Sequence, residues 1–176
     1  MAVYDFTRRE EPWVVIVPQG DPLLERQLAA LEGQGGLVFH VSAEELTTPE
    51  GVFAAFARTL EFSGYFGRNW DAMVDCLDDL QGSWHGGRGV AVVIRDADLL
   101  LDAGQLRLFV SVVCQAAARA NSAMDSDGEP WDRPAIAQHF AFVSRAASTG
   151  DFVSRLTGDD LKVEVVGQYV TVSPDG

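Results

Sequence analysis

The chain has 176 residues, 47% hydrophobic and 22% charged, with 26 acidic against 13 basic residues and a formal net charge of −13 at pH 7. This is the composition of a globular protein long enough to bury a sizeable core, and at roughly 100–200 residues per domain it points to a single domain over 1–176. The negative charge argues against direct nucleic-acid binding, because phosphate backbones are repelled, and favours fast association with positive partners.

No apolar run approaches the roughly 18 residues that a membrane-spanning helix needs. The opening MAVYDFTRREEPW lacks the apolar centre of a secretory signal, so a cytoplasmic location is expected. Cys76 and Cys114 each sit in an apolar helical pattern and lack Cys-x-x-Cys spacing. They read as buried free thiols, not as a disulfide or a zinc site.

In chain order, WVVIVP (13–18) reads as a buried strand ended by Pro18 and Gly20. Asp21-Pro22 has the form of an N-cap followed by proline at the first helical position. Leu24, Leu28 and Leu31 then form a helical stripe that Gly33, Gly35 and Gly36 stop. GLVFHV (36–41) is a second strand, and strand–helix–strand predicts a parallel relation. Residues 50–61 predict a helix with Val52, Phe53, Phe56, Ala57 and Leu60 on one face and Pro49 near its first turn. GVAVVIR (89–95) is a valine-rich strand. Residues 103–120 predict a long helix with Leu106, Phe109, Val110, Val113 and Ala117 in one stripe, widened by Leu108 and Val112. A polar loop (121–134), a strand (139–144) and a short helix near 151–156 follow. LKVEVV and YVTV flank Gly167-Gln168, a hairpin signal. The alternation predicts an α/β layered domain with a mainly parallel sheet flanked by helices.

The stretch GYFGRNWDAMVDCLDDL (64–80) carries the least ordinary pattern. Asn69 is a good N-cap. From there Trp70, Met73, Val74, Leu77 and Leu80 fall on one face of a helix, and Asp71, Asp75, Asp78 and Asp79 on the other. The only base nearby in sequence is Arg68. Like charges at i, i+3 and i, i+4 destabilise a helix by a few tenths of a kcal/mol per pair, and aspartate is a poor interior helix former. A cationic partner would offset that loss. Gly64 and Gly67 bracket Tyr65 and Phe66, which reads as a loop able to turn sharply and present aromatic anchors to a partner.

The run Tyr65-Phe66-Gly67-x-Asn69-x-Asp71-Ala72-Met73-x-Asp75-Cys76-Leu77 closely resembles the barstar family, intracellular protein inhibitors of secreted bacterial ribonucleases. The flanking elements follow in matching order over about 36–145, which makes 1–35 an added N-terminal βα unit and 146–176 a C-terminal extension ending in the hairpin. The resemblance implies an immunity- or antitoxin-type protein whose loop and acidic helix plug a basic nuclease active site. It implies Asp75 as the central anion, Asp71 paired with a nearby base, and Tyr65, Phe66, Gly67 and Asn69 as loop contacts. Val74, where the family's best-known member has tryptophan, and Asp78 and Asp79 complete the expected partner-facing set. The implied partner is a basic nuclease, or else another basic protein held by the same fold.

Catalysis has little support. Asp71, Asp75 and Asp79 on one helix face offer few converging ligands for Mg²⁺ or Ca²⁺. His40, His85 and His139 are scattered, and neither a P-loop nor a nucleophile elbow is present. Asp125-Ser126-Asp127-Gly128-Glu129 begins like an EF-hand loop without the rest of one, and reads as an acidic surface loop. No cofactor or metal is expected.

Overall fold

The computed structural model describes residues 3–64, 66–82, 88–123, 127–130, 135–145 and 149–176, with backbone only at 81–82. Tyr65, His85 and Asp125-Ser126 lie outside the described residues.

Among the described residues, six strands and five α-helices follow the predicted alternation: β1 (Val14–Pro18), α1 (Pro22–Gly33), β2 (Leu37–Ser42), α2 (Pro49–Thr59), α3 (Trp70–Asp78), β3 (Val90–Arg95), α4 (Leu106–Ser122), β4 (Gln138–Ser144), α5 (Thr149–Leu156), β5 (Leu161–Val166) and β6 (Tyr169–Pro174). They build one sheet in the order β2-β3-β4-β1-β6-β5. β2, β3, β4 and β1 are parallel, while β6 runs antiparallel to β1 and closes the hairpin with β5. The fold is therefore α/β with a mainly parallel sheet. β1 and β2 are parallel as their βαβ pattern predicts, but β3 and β4 lie between them, because β1 takes its hydrogen bonds from β4 and β6.

Strands covered on both sides read as continuous apolar runs, and β1 shows why. Val14 and Ile16 join one core, with Phe140, Phe142 and the helices α2, α3, α4 and α5. Val15 and Val17 join the other, with Leu24 and Leu31 of α1 and with Tyr4 and Phe6. The second face of the sheet is thus covered by the N-terminal extension. Asp21 caps α1 by accepting from the Leu24 N–H at 3.1 Å, and it also accepts from the Tyr169 hydroxyl at 2.8 Å and Gln168 Nε2 at 3.2 Å. At 4% exposure, this carboxylate fastens the start of α1 to the C-terminal hairpin.

Two details of α4 depart from its pattern. The helix begins at Leu106, after a 3-10 turn Ala97–Leu100 and the connecting residues 101–105. Val112 is buried at 6% exposure but Leu108 is 48% exposed, so only one flank of the stripe is covered. Phe109 is the hub. Its ring lies 5.6 Å from Phe56, 5.7 Å from Phe142 and 6.3 Å from Trp70, joining α4 to α2, β4 and α3. Cys114 is fully buried, whereas Cys76 is only half-buried; both are free thiols. Among the described residues, no helix is long and apolar enough to cross a membrane.

Candidate partner-binding site

The loop between α2 and α3 is shaped by its two ends. Helix α2 closes with the Phe62 N–H donating to the Ala57 carbonyl at 3.0 Å, the six-to-one bond of a Schellman turn. The left-handed residue this turn requires is Glu61, with φ 52°, in a place where glycine is usual. The second left-handed residue is Arg68, also at φ 52°. Gly64 and Gly67 do not have positive φ, so the sharp turns expected of the glycines are made by their neighbours. Gly67 matters sterically: a Cβ there would stand 3.2 Å from Asn69 Nδ2 and 3.4 Å from the Ala72 Cβ.

Asn69 starts α3 as its sequence predicts, with Oδ1 accepting from the Ala72 N–H at 2.8 Å and Nδ2 donating to the Gly67 carbonyl at 3.3 Å. Phe66 is half-buried and turned toward the core, edge-on to Phe62 at 5.1 Å and to Phe53 at 6.1 Å. Its ring shores up the loop and leaves only part of its surface for contact. Trp70 packs edge-on against Phe53 at 4.8 Å.

Helix α3 lies against α4 and is tethered at its far end. Gln138, fully buried on β4, donates from Nε2 to the Leu77 carbonyl at 3.0 Å. Asn121 of α4 in turn donates to the Gln138 carbonyl at 3.0 Å. This buried amide relay satisfies a carbonyl that the helix end would otherwise leave open and holds the acidic face in place.

On that face the structure brings Asp71, Asp75 and Asp79 together, all exposed. It does not bring Asp78 with them: this side chain is 1% exposed and points inward. Asp78 trails Val74 by about 40° around the helix, at about 100° per residue, which puts it on the shoulder that the core covers. Val74 itself is 4% exposed and packs inside. Neither residue presents the partner-facing surface expected of it.

Two residues that sequence reasoning missed complete the site. Arg119, in the last turn of α4 and only 17% exposed, places Nη1 at 3.4 Å from Asp75 Oδ1. Asp75 has its base from α4 rather than from Arg68. Glu61 adds a further exposed carboxylate, sharing with Asp79 the rim of a hollow of about 80 Å³ floored by Phe62 and Leu80. Only the glycine-like position of Glu61 after a helix end marks it in sequence; nothing local marks Arg119. The negative field also registers at Cys76, where burial, then the Asp79 and Asp75 carboxylates, push the thiol pKa up. Among the described residues, no group of three or more His, Cys, Asp or Glu side chains converges in a manner that could hold a metal ion.

An exposed face of carboxylates beside a loop braced by aromatic rings can recognise a positive surface. The model of the Barstar (barnase inhibitor) family matches residues 37–130, just over half of the chain. No curated protein and no solved structure matches. The matched span holds β2, α2, the loop, α3, β3 and α4, and leaves β1, α1 and everything from β4 onward outside it. The chain belongs to the barstar family.

Proposed function

We propose that this protein is a cytoplasmic, non-catalytic inhibitor that binds a basic ribonuclease or toxin nuclease domain and occludes its active site. The carrying observation is the exposed carboxylate face Asp71, Asp75 and Asp79, set beside the Gly67–Asn69 loop in a chain of the barstar family. In this reading Asp75 is the central anion. It stands where a substrate phosphate would stand, and Asp71 extends the same mimicry. Tyr65, Phe66, Gly67 and Asn69 form the contact loop. Asp79 and Glu61 receive a basic side chain of the partner in the hollow between them. Complementary charge raises the association rate and fixes the register of the complex more than it adds affinity.

A second reading keeps the site and changes the partner to a basic protein that is not a nuclease. The inward turn of Val74 and the engagement of Asp75 by Arg119 favour it, since both alter the surface offered to a nuclease. The two separate in one experiment: calorimetric titration into a panel of basic microbial ribonucleases and toxin nuclease domains, with nuclease activity measured alongside. One-to-one binding that abolishes RNA cleavage supports the inhibitor. Absence of binding across the panel removes that reading and leaves the second.

A further inference from the structure

The sheet carries a second feature, on the face opposite α3. β1, β2, β3 and β4 are parallel, so their C-terminal ends share one edge. After β1 the chain leaves over the α1 face, whereas the helices following β2, β3 and β4 pack on the other face. Adjacent parallel strands whose connections depart to opposite faces leave a crevice beyond their carboxyl ends, the usual ligand position in open α/β sheets. Here β1 and β4 are that pair. A cleft of about 370 Å³ occupies the place, within the roughly 300–1,000 Å³ common for small-molecule sites.

The cleft has an apolar floor of Leu24 and Leu28 from α1, Val93 from β3 and Val143 from β4. Its rim carries Arg95, Arg145 and His40, a concentration of cationic and imidazole groups in a chain with twice as many acids as bases. Glu25 and Asp96 also line it. Asp96, at φ 58°, is committed to Arg145, whose Nε lies 2.7 Å from Asp96 Oδ1. Asp98 fixes the same strand end by accepting from the Arg145 N–H and the Ser144 hydroxyl, each at 2.7 Å. Arg145 is thereby anchored through Nε, one of the five donors of its guanidinium. Arg95 is exposed and has no ion pair among the described residues.

We infer that this cleft binds a small organic anion, with its apolar body on the leucine and valine floor and its carboxylate or phosphate between Arg95 and Arg145. β1 and α1 lie outside the family-matched span, so the N-terminal extension supplies one wall of the site, through Gln19, Gly20, Leu24, Glu25 and Leu28. The site does not depend on the nuclease-binding reading. The test uses the full chain with benzoate and phenyl phosphate as probes, neutral benzamide and inorganic phosphate as comparisons, and amide chemical shifts as the readout. Expected are millimolar or tighter binding of benzoate or phenyl phosphate, shifts clustered at residues 19–28, 40–42 and 93–96, and at least tenfold weaker binding in Arg95→Gln. Arg88→Gln, at an exposed arginine outside the cleft, and Asp75→Ala should bind as the parent does. Equal affinity for benzamide, equal affinity in Arg95→Gln, shifts clustered elsewhere, or no binding of either aromatic anion would each overturn the inference.

Discussion

Replacing Asp75 by alanine should make the free protein more stable and its complex weaker. Asp75 is 76% exposed and reaches Arg119 at 3.4 Å, and an exposed pair contributes about 0.2–1 kcal/mol. Against it stand like charges one turn away on either side, Asp71 and Asp79, worth roughly 0.2–0.5 kcal/mol each. Asp75 also lies in the last turn of α3, where the helix dipole disfavours a carboxylate by about 0.3–1 kcal/mol. Alanine's higher helix propensity adds up to about 0.7 kcal/mol. The balance favours the variant by about 1 kcal/mol. With a urea slope of about 2 kcal/mol per molar, the unfolding midpoint should rise by roughly 0.5 M at unchanged slope. Binding to the cognate nuclease should fall by at least about 2 kcal/mol, the level of an interface hot spot, or about 30-fold in Kd. Urea unfolding followed by circular dichroism, beside calorimetric titration, reads both quantities. A variant destabilised by more than about 1 kcal/mol would make Asp75 a structural residue. Unchanged affinity for a confirmed partner would refute the anion-mimic role.

Asp21→Ala should cost about 3 kcal/mol in urea unfolding: about 1 for the lost α1 cap and about 2 for the buried Tyr4 hydroxyl left without Asp21. A loss below 1 kcal/mol would mean that water replaces the carboxylate. Tyr4 stays a donor throughout, because burial and then the Asp21 charge push its pKa up. Burial holds His139 down at about 4, against the pull of its contact with the Glu10 carbonyl and of Asp5. The unfolded chain therefore binds the extra proton first. Stability should be full above about pH 6.5 and fall by up to about 3 kcal/mol as pH drops toward 4; a flat profile in His139→Gln would assign the effect, and an unchanged one would remove it. The association rate with a basic nuclease should fall roughly tenfold or more between 0.05 and 0.5 M salt in stopped-flow measurements. A salt-independent rate would locate the contact on an apolar surface instead.

Local chemistry was enough for much of this molecule. Apolar runs and caps place β1, α1 and α3 nearly to the residue, because an Asp-Pro or Asn start and a glycine stop act within one helical turn. The α/β class follows from the alternation of periods, and Asp71, Asp75 and Asp79 from helical spacing alone. What local pattern could not carry is anything set by a neighbour distant in sequence. Strand order is one case: β1 and β2 read as a simple βαβ pair, yet hydrogen bonding to β4 and β6 separates them. Asp78 is another. Its place on the helical wheel is a shoulder, and only the packing around α3 decides that the shoulder is buried. Leu108 is the reverse, an apolar residue left in solvent because, among the described residues, no element covers its side of α4. Arg119 meets Asp75 across 44 residues of sequence, and the cleft at the strand ends draws its walls from β1 through β4 and α1. Charge and periodicity are properties of a segment, and the chain shows them before it folds. Register, burial and cross-chain partners belong to the assembled sheet.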